Sequence, residues 1–158
     1  MSLDELTRPN FKAQEFIKSN TAEAHGLDNL PTEEQGEWGI WENANKLADK
    51  MQELRVKTGL PITITSGFRN EEVNKLVGGS PSSWHMKFLA CDFNLKGLLP
   101  HEGVLLIKRT GISLDKCFVE RGCIHIQFNL DDSKNRNVFG TAFKEGGKWK
   151  VINEIKAI

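Results

Sequence analysis

Two histidines and one aspartate are the residues of this sequence whose types best suit metal chemistry. His85 lies in a loop, Asp92 follows seven positions later inside an apolar run, and His125 lies in a later strand pattern. A buried carboxylate is costly unless it pairs, takes up a proton or binds a metal ion. Three nitrogen or oxygen ligands with a fourth position left for water make a catalytic zinc site. His85, Asp92 and His125 satisfy that count for one Zn²⁺ ion; two surface histidines and a salt-bridged Asp92 are the alternative.

Three further residues could complete a site that cleaves an amide bond. Such a site needs a base that takes a proton from water and delivers it to the leaving amine. Glu120 is the candidate base, because it lies one diagonal position from His125 in a predicted hairpin. The planar guanidinium of Arg69 could hold a substrate carboxylate, and Ser83 could donate a hydrogen bond. A surface ion pair is the plainer interpretation of Arg69.

The cysteines offer a different chemistry, that of a thiol nucleophile with a histidine base. Cys123 and His125 are two positions apart on one predicted strand, so their side chains face the same way. Cys123 lies in a tight turn, however, and no third residue that would orient the histidine is evident. We expect Cys91, Cys117 and Cys123 to be free thiols, with a disulfide between Cys117 and Cys123 as the alternative.

A hairpin must position Glu120 and His125. The strand patterns Lys116–Glu120 and Cys123–Asn129 are separated by two residues, which is the spacing of a tight β-turn. Pairing Glu120 with Cys123 predicts that one face carries the polar residues, and that the other face is core. The first face comprises Phe118, Glu120, Cys123, His125 and Gln127; the second comprises Cys117, Val119, Ile124 and Ile126.

The remaining patterns predict an α+β fold, in which helices pack on one face of a small antiparallel sheet. Apolar residues at steps of three and four predict one long amphipathic helix. Predicted helices are Ala13–Ser19, Glu37–Lys57, Glu71–Val77 and Pro100–Thr110; predicted strands are Ile62–Thr65, Phe88–Leu95, and a second hairpin of Val138–Phe143 and Lys148–Ile152. We expect residues 1–158 to form one domain, with residues 1–37 as an arm packed on the body and residues 138–152 as a C-terminal hairpin.

Composition and charge exclude several functional classes. The 158 residues include 21 Lys plus Arg and 21 Asp plus Glu, so no net charge draws the protein to nucleic acid or to an acidic membrane surface. No run approaches the roughly 20 apolar residues of a membrane helix, and the first residues lack the pattern of a signal peptide. We expect a monomer made in the cytoplasm.

One long segment resembles the zinc-dependent D-alanyl-D-alanine peptidases of the Hedgehog/DD-peptidase fold. The segment is ITSGFRNEEVNKLVGGSPSSWHMKFLACDF, and it is similar to the SGYR and SxHxxGxAxD elements of short phage and prophage members. The similarity continues in the same order from Asn10 to Phe128, including the strand IHIQF. The resemblance implies His85, Asp92 and His125 as ligands of one zinc ion, and Arg69 and Ser83 as residues that bind the substrate peptide.

Three positions depart from the family pattern. Phe88 replaces a glycine, and we expect its ring to crowd the strand or to reshape the pocket wall. Trp84 replaces a polar residue beside the first ligand. The family's acid/base carboxylate often lies three residues before the last histidine, where this chain has Gly122. Glu120 matches a glutamate placed slightly further upstream in the phage relatives, with a turn that is one residue shorter.

The resemblance therefore implies a zinc peptidase that hydrolyses peptidoglycan stem or cross-bridge peptides, as a D-Ala-D-Ala carboxypeptidase or a murein endopeptidase. Phage or prophage origin is also implied, with action on the cell wall after release or as a virion component. Phe88, Trp84 and Gly122 motivate the alternatives: a module of the same fold that binds wall peptide or a virion partner without hydrolysis, or a structural particle protein with a vestigial metal site.

Overall fold

The strands of this protein form one mixed sheet that carries the candidate site on one face. The computed structural model describes residues 2–158. The strands are β1 (Ile62–Ser66), β2 (Ala90–Leu95), β3 (Lys116–Glu120), β4 (Cys123–Gln127), β5 (Val138–Glu145) and β6 (Lys148–Ile152). They pair in the order β1-β2-β4-β3-β5-β6. Neighbouring strands are antiparallel except for β3 and β5, which run parallel.

The described residues also form five α-helices and four short 3₁₀ segments. The α-helices are α1 (Asn20–Ala24), α2 (Glu33–Glu37), α3 (Ile40–Thr58), α4 (Glu71–Leu76) and α5 (Pro100–Thr110). The 3₁₀ segments are Leu3–Leu6, Ala13–Phe16, Trp84–Lys87 and Asp132–Lys134. In the described part of the chain, no helix has the length and apolar character needed to cross a membrane. The predicted α+β class with one domain is confirmed, and the sheet is mixed because of the single parallel pair.

The β3–β4 hairpin has the predicted register. Glu120 pairs with Cys123, and Phe118 pairs with His125. Gly122, the second residue of the turn, has φ +78°, a left-handed conformation that glycine adopts without strain. Because side chains alternate along a strand, this register puts Glu120 and His125 on the same face of the sheet.

The other face of the sheet is the hydrophobic core. Helix α5 packs on this face, and α3 packs beside α5. Gly103 of α5 lies against Ile124, where a Cβ atom would collide with the isoleucine side chain, so glycine permits the close approach of helix and sheet. The buried strand residues on this face are Cys91, Phe93, Leu95, Cys117, Val119, Ile124 and Ile126.

The N-terminal segment differs from its prediction. In place of one helix over Ala13–Ser19, a 3₁₀ turn ends at Phe16 and a separate helix begins at Asn20. Ser19 accounts for the break, because its extended backbone and its Oγ, which accepts the Ala22 amide at 3.1 Å, make it the N-cap of the second helix. The packing of this segment on the body comes from Phe16, which is fully buried.

Phe88 does not crowd the strand, contrary to the expectation from its size. It lies before β2 with φ +60°, so it adopts the left-handed backbone that glycine would adopt readily. Its ring is fully buried and stacks on Phe68 at a centroid distance of 4.9 Å, with Trp41 at 6.0 Å. The ring therefore fills the core and does not line the cleft that contains the candidate site.

Two substitutions at Phe88 should separate its packing from its backbone strain. Phe88→Ala should lower the free energy of unfolding by about 3–5 kcal/mol, because it leaves a cavity among aromatic rings. Phe88→Gly should be more stable than Phe88→Ala by roughly 1 kcal/mol, since glycine has no Cβ to strain at positive φ. Urea denaturation of the three proteins measures both differences. A glycine variant clearly less stable than the alanine variant would contradict the left-handed backbone at this position.

Candidate metal centre

Three buried side chains from different elements meet on the open face of the sheet. Asp92 of β2 pairs directly with His125 of β4, and His85 comes from the 3₁₀ segment that precedes β2. Asp92 Oδ1 lies 3.1 Å from His85 Nε2 and 2.9 Å from His125 Nδ1. One ligand atom of each residue lies within 4.8 Å of the other two. The structure thus brings together all three predicted ligands.

Hydrogen bonds to the rest of the protein hold the atoms of His85, His125 and Asp92 that point away from the centre. His85 Nδ1 donates to the carbonyl oxygen of Gly67 at 2.7 Å, and His125 Nε2 lies 2.9 Å from Gln127 Oε1. Arg69 Nη2 donates to Asp92 Oδ2 at 3.1 Å. These bonds leave His85 Nε2, His125 Nδ1 and Asp92 Oδ1 facing one another. Outer hydrogen bonds of this kind are what orient the ligands of metal sites.

A backbone contact fixes Gly67 under His85. The Phe68 amide donates to the Phe16 carbonyl oxygen at 2.8 Å, which brings the two backbones together. A Cβ atom at Gly67 would collide with that carbonyl group, so only glycine fits. The turn after β1 thus depends on glycine to present its carbonyl oxygen to the histidine.

The centre suits a positive charge. His85 Nδ1 donates to a carbonyl, so in the neutral ring Nε2 carries a lone pair that faces a carboxylate oxygen. Burial lowers the pKa of His85, which favours that neutral form. Burial alone would raise the pKa of Asp92, but the two histidines hold it well below its ordinary value. Two acceptors that face each other need a cation between them, and this donor set fits zinc.

The pKa of His125 also indicates that the centre favours a positive charge. Burial alone would lower its pKa, but the hydrogen bond and charge of Asp92, with Glu120 nearby, raise it to about 9. In the protonated ring without a metal, Nδ1 donates its proton to Asp92 Oδ1, which lies 2.9 Å away. A metal ion that binds here must displace that proton.

Glu120 reaches the centre from the neighbouring strand. Its Oε1 lies 3.7 Å from His125 Nδ1, and its side chain is 19% exposed. Burial and the charge of Asp92 raise the pKa of Glu120 to about 7. A carboxylate whose pKa lies near neutrality both accepts and returns a proton, which is the behaviour a general base needs. The Gly122 position, where the family pattern often has a carboxylate, instead forms the turn.

Arg69 and Ser83 lie at the rim of the centre, and both line its cleft. Arg69 donates to Ser66, Asn74 and Asp92 from its three nitrogens. A guanidinium has five N–H groups, so two remain for a substrate. Ser83 Oγ accepts the His85 amide at 3.2 Å, and its hydroxyl proton stays available as a donor. Because one of its hydrogen bonds goes to Asp92, Arg69 also holds this predicted ligand in place, a role that the sequence did not predict.

The thiol alternative is not supported. All three cysteines are free, so the disulfide considered between Cys117 and Cys123 does not form. Burial, followed by the charges of Asp92 and Glu120, raises the pKa of the Cys123 thiol. The thiolate that would act as a nucleophile is therefore disfavoured.

The C-terminal hairpin forms one wall of the cleft, which sequence reasoning did not predict. The cleft has a volume of about 290 Å³, and Ala142, Trp149 and Val151 contribute to it from β5 and β6. Lys144 donates to the carbonyl oxygen of Gly78 at 3.0 Å, which ties the hairpin to the loop after α4. The parallel pairing of β5 with β3 puts the hairpin here, and no local pattern in the sequence indicates that pairing.

The loop around the first ligand also lines the cleft, with Ser80, Ser82, Ser83 and Trp84. The Trp84 ring lies 4.9 Å from Lys87 Nζ. Trp84, the second departure from the family pattern, therefore borders the cleft, in contrast to Phe88.

Comparison with known proteins agrees with this geometry. A family model described as Peptidase M15 matches residues 9–127. No curated protein matches the chain. The matched range ends with β4 and contains every residue predicted for the site, while β5 and β6 lie beyond it.

Proposed function

Because the chain belongs to the peptidase M15 family, whose members are zinc-dependent peptidases, we propose that it hydrolyses peptide bonds in peptidoglycan stem or cross-bridge peptides, as a D-Ala-D-Ala carboxypeptidase or a murein endopeptidase. The observation that carries the proposal is the convergence of His85, Asp92 and His125, with Glu120 beside them in one cleft. One zinc ion would be held by His85 Nε2, Asp92 Oδ1 and His125 Nδ1.

The chain's own residues then have distinct tasks. When bound, zinc polarises the scissile carbonyl group and makes a water molecule more acidic. Glu120 accepts the proton of the attacking water and delivers it to the leaving amine, which its position beside His125 allows. Arg69 and Ser83 donate hydrogen bonds to the substrate peptide from the rim of the cleft.

The C-terminal hairpin, which lines the cleft, is a further reason to propose a peptide substrate. Trp149 is 43% exposed and Val151 is 49% exposed, and both border the cleft. Solvent-exposed apolar side chains beside a polar centre offer contact area to a ligand backbone or side chain. Phe88 was one of the three departures that motivated the alternative of a pure binding module, and its ring lies in the core. We favour the enzyme for this reason. We further propose a monomer that acts on the cell wall after release or as a virion component.

Zinc quantification together with mass spectrometry of digested peptidoglycan tests the proposal. The purified protein should contain close to one zinc per chain and should release shortened or uncrosslinked muropeptides. Chelation should abolish product formation, and added zinc should restore it. Loss of a single terminal alanine identifies a carboxypeptidase, whereas the separation of cross-linked muropeptides identifies an endopeptidase. Muropeptide binding without product would favour the binding module, and a protein without zinc or product would refute a zinc-dependent function.

Trp149 should contribute to substrate binding and not to the chemical step. Trp149→Ala should raise KM roughly five- to tenfold with kcat nearly unchanged, because it removes an aromatic contact worth about 1 to 1.4 kcal/mol. Steady-state kinetics on a soluble muropeptide measures both constants. Trp38→Ala is the matched control, since Trp38 is 75% exposed and does not line the cleft. An equal effect of the two substitutions would remove Trp149 from the binding surface.

A further inference from the structure

A chain of hydrogen bonds leads away from His125 on the side opposite the metal centre. Gln127 Oε1 lies 2.9 Å from His125 Nε2, and Gln127 Nε2 donates to Asp115 Oδ2 at 2.9 Å. Arg136 closes the chain with a two-pronged ion pair to Asp115. We call Gln127, Asp115 and Arg136 the Asp115 relay. None of its members was a predicted site residue.

Asp115 is the most firmly held residue of the Asp115 relay. It is fully buried, and its carboxylate accepts five hydrogen bonds: two from the Arg136 side chain, one from the Arg136 amide, and one each from Gln127 and Asn129. Burial alone would raise its pKa, but the hydrogen bonds from Arg136 and Gln127 hold the pKa below its ordinary value. The carboxylate is therefore ionised and acts only as an acceptor.

This acceptor sets the direction of every bond in the chain. An acceptor-only Asp115 requires the amide nitrogen of Gln127 to face it, which turns the amide oxygen towards His125. An oxygen in that place requires a proton on His125 Nε2. The other ring nitrogen, Nδ1, is then free to present its lone pair towards Asp92 and Glu120.

The two histidines are thus oriented by different means. His85 is held by a backbone carbonyl oxygen at Gly67, which has no alternative orientation. His125 is held by a side-chain amide that accepts or donates depending on its rotation. Without Asp115, nothing in the relay would prevent Gln127 from turning its nitrogen to His125.

We propose that Asp115, paired with Arg136, acts through Gln127 as a positioning residue that fixes the His125 tautomer presenting Nδ1 to the metal. This inference rests on the proposed zinc-dependent function. It predicts that residues without contact to metal or substrate determine zinc affinity. In metal sites, loss of an outer hydrogen-bond partner reduces affinity roughly 10- to 100-fold.

Two variants test the relay at different points. Gln127→Met keeps the length of the side chain but removes both hydrogen bonds. Asp115→Asn keeps the shape of the carboxylate but introduces a donor. Should Asp115→Asn fail to fold, Gln127→Met still tests the proposal, because Gln127 lies at the cleft edge. Val119→Ala serves as a stability control, since Val119 is buried on the opposite face of β3.

Zinc affinity, measured by competition with a chromophoric chelator, and the visible absorption of the cobalt-substituted protein are the two readouts. We expect Gln127→Met and Asp115→Asn to lose roughly 10- to 100-fold in affinity and to shift the cobalt bands, while Val119→Ala changes neither. A merely structural relay would lower thermal stability without a change in the cobalt spectrum, and that result would overturn the proposal.

The outcomes also separate this inference from the proposed function. If the wild-type protein binds no zinc and releases no product, the function fails. If the wild-type protein binds zinc and cleaves muropeptides, but both relay variants keep its affinity and spectrum, only the relay proposal fails.

Discussion

A Glu120→Gln protein should keep its fold and its zinc but turn over substrate about 100- to 10,000-fold more slowly. Glutamine fills the same space beside His125 but has no basic oxygen to take a proton from water. The loss should fall on kcat, with KM little changed, because Glu120 acts on the reacting proton. Zinc content and kinetics on one muropeptide substrate measure the two halves of this expectation.

The pH profile provides an independent check on Glu120. The base must be ionised, so wild-type kcat/KM should fall as the pH drops through the pKa of this group. In the metal-free protein that pKa is about 7, and the charge of a bound zinc ion lowers it from there. The residual activity of Glu120→Gln should lack this acidic limb. Near-wild-type turnover in the variant would assign the base to another residue.

An Asp92→Ala protein should bind no zinc at stoichiometric concentration and should have no measurable activity. The substitution removes the only anionic ligand of the three, and it leaves Arg69 without its ion-pair partner at 3.1 Å. Two neutral histidines beside a guanidinium hold a divalent cation poorly, because charge repulsion then opposes binding. Metal analysis after dialysis and a muropeptide assay measure the expected result.

Asp49→Ala is the matched control for Asp92. Its carboxylate pairs with Arg8 at the surface with 69% of the side chain exposed, and it should lose neither zinc nor activity. In metal-free protein, Asp92→Ala should also lower the pKa of His125 from about 9, since Asp92 is the main group that raises it. NMR titration of the imidazole reports this change. Zinc retained by Asp92→Ala would remove Asp92 from the ligand set.

The parts of the fold that local rules determine could be predicted from the sequence. Helix α5 has the predicted bounds, because Pro100 favours the first helical position and Gly111 takes the left-handed conformation after the last turn. The β3–β4 register follows from its two-residue turn, and alternation within that hairpin puts Glu120 and His125 on one face. These residues therefore come together as predicted, although the predictions of their chemical roles await experiment.

The parts that depend on long-range contacts could not be predicted. Size alone suggested that Phe88 would disturb β2, but the aromatic cluster with Phe68 accommodates it at a positive φ. Gln127 was predicted on the face of His125, yet its link to Asp115 depends on where β3 begins relative to β4. The wall formed by Trp149 depends on a parallel pairing between segments with an intervening loop. Such contacts carry no periodic signal.

The segment of Arg136 and Asn137, just before β5, separates the part of the chain that supports the site from the C-terminal hairpin, which could be exchanged in protein engineering. Asn137 is bonded to Leu114 through its amide and its side-chain oxygen, and Arg136 is bonded to Asp115. The wall begins only afterwards, at Val138. We expect a graft that replaces residues 138–152 to alter substrate preference and to leave the Asp115 relay in place. A transplant that starts directly after β4 would remove Arg136, and we expect it to weaken metal binding as well as to change the wall.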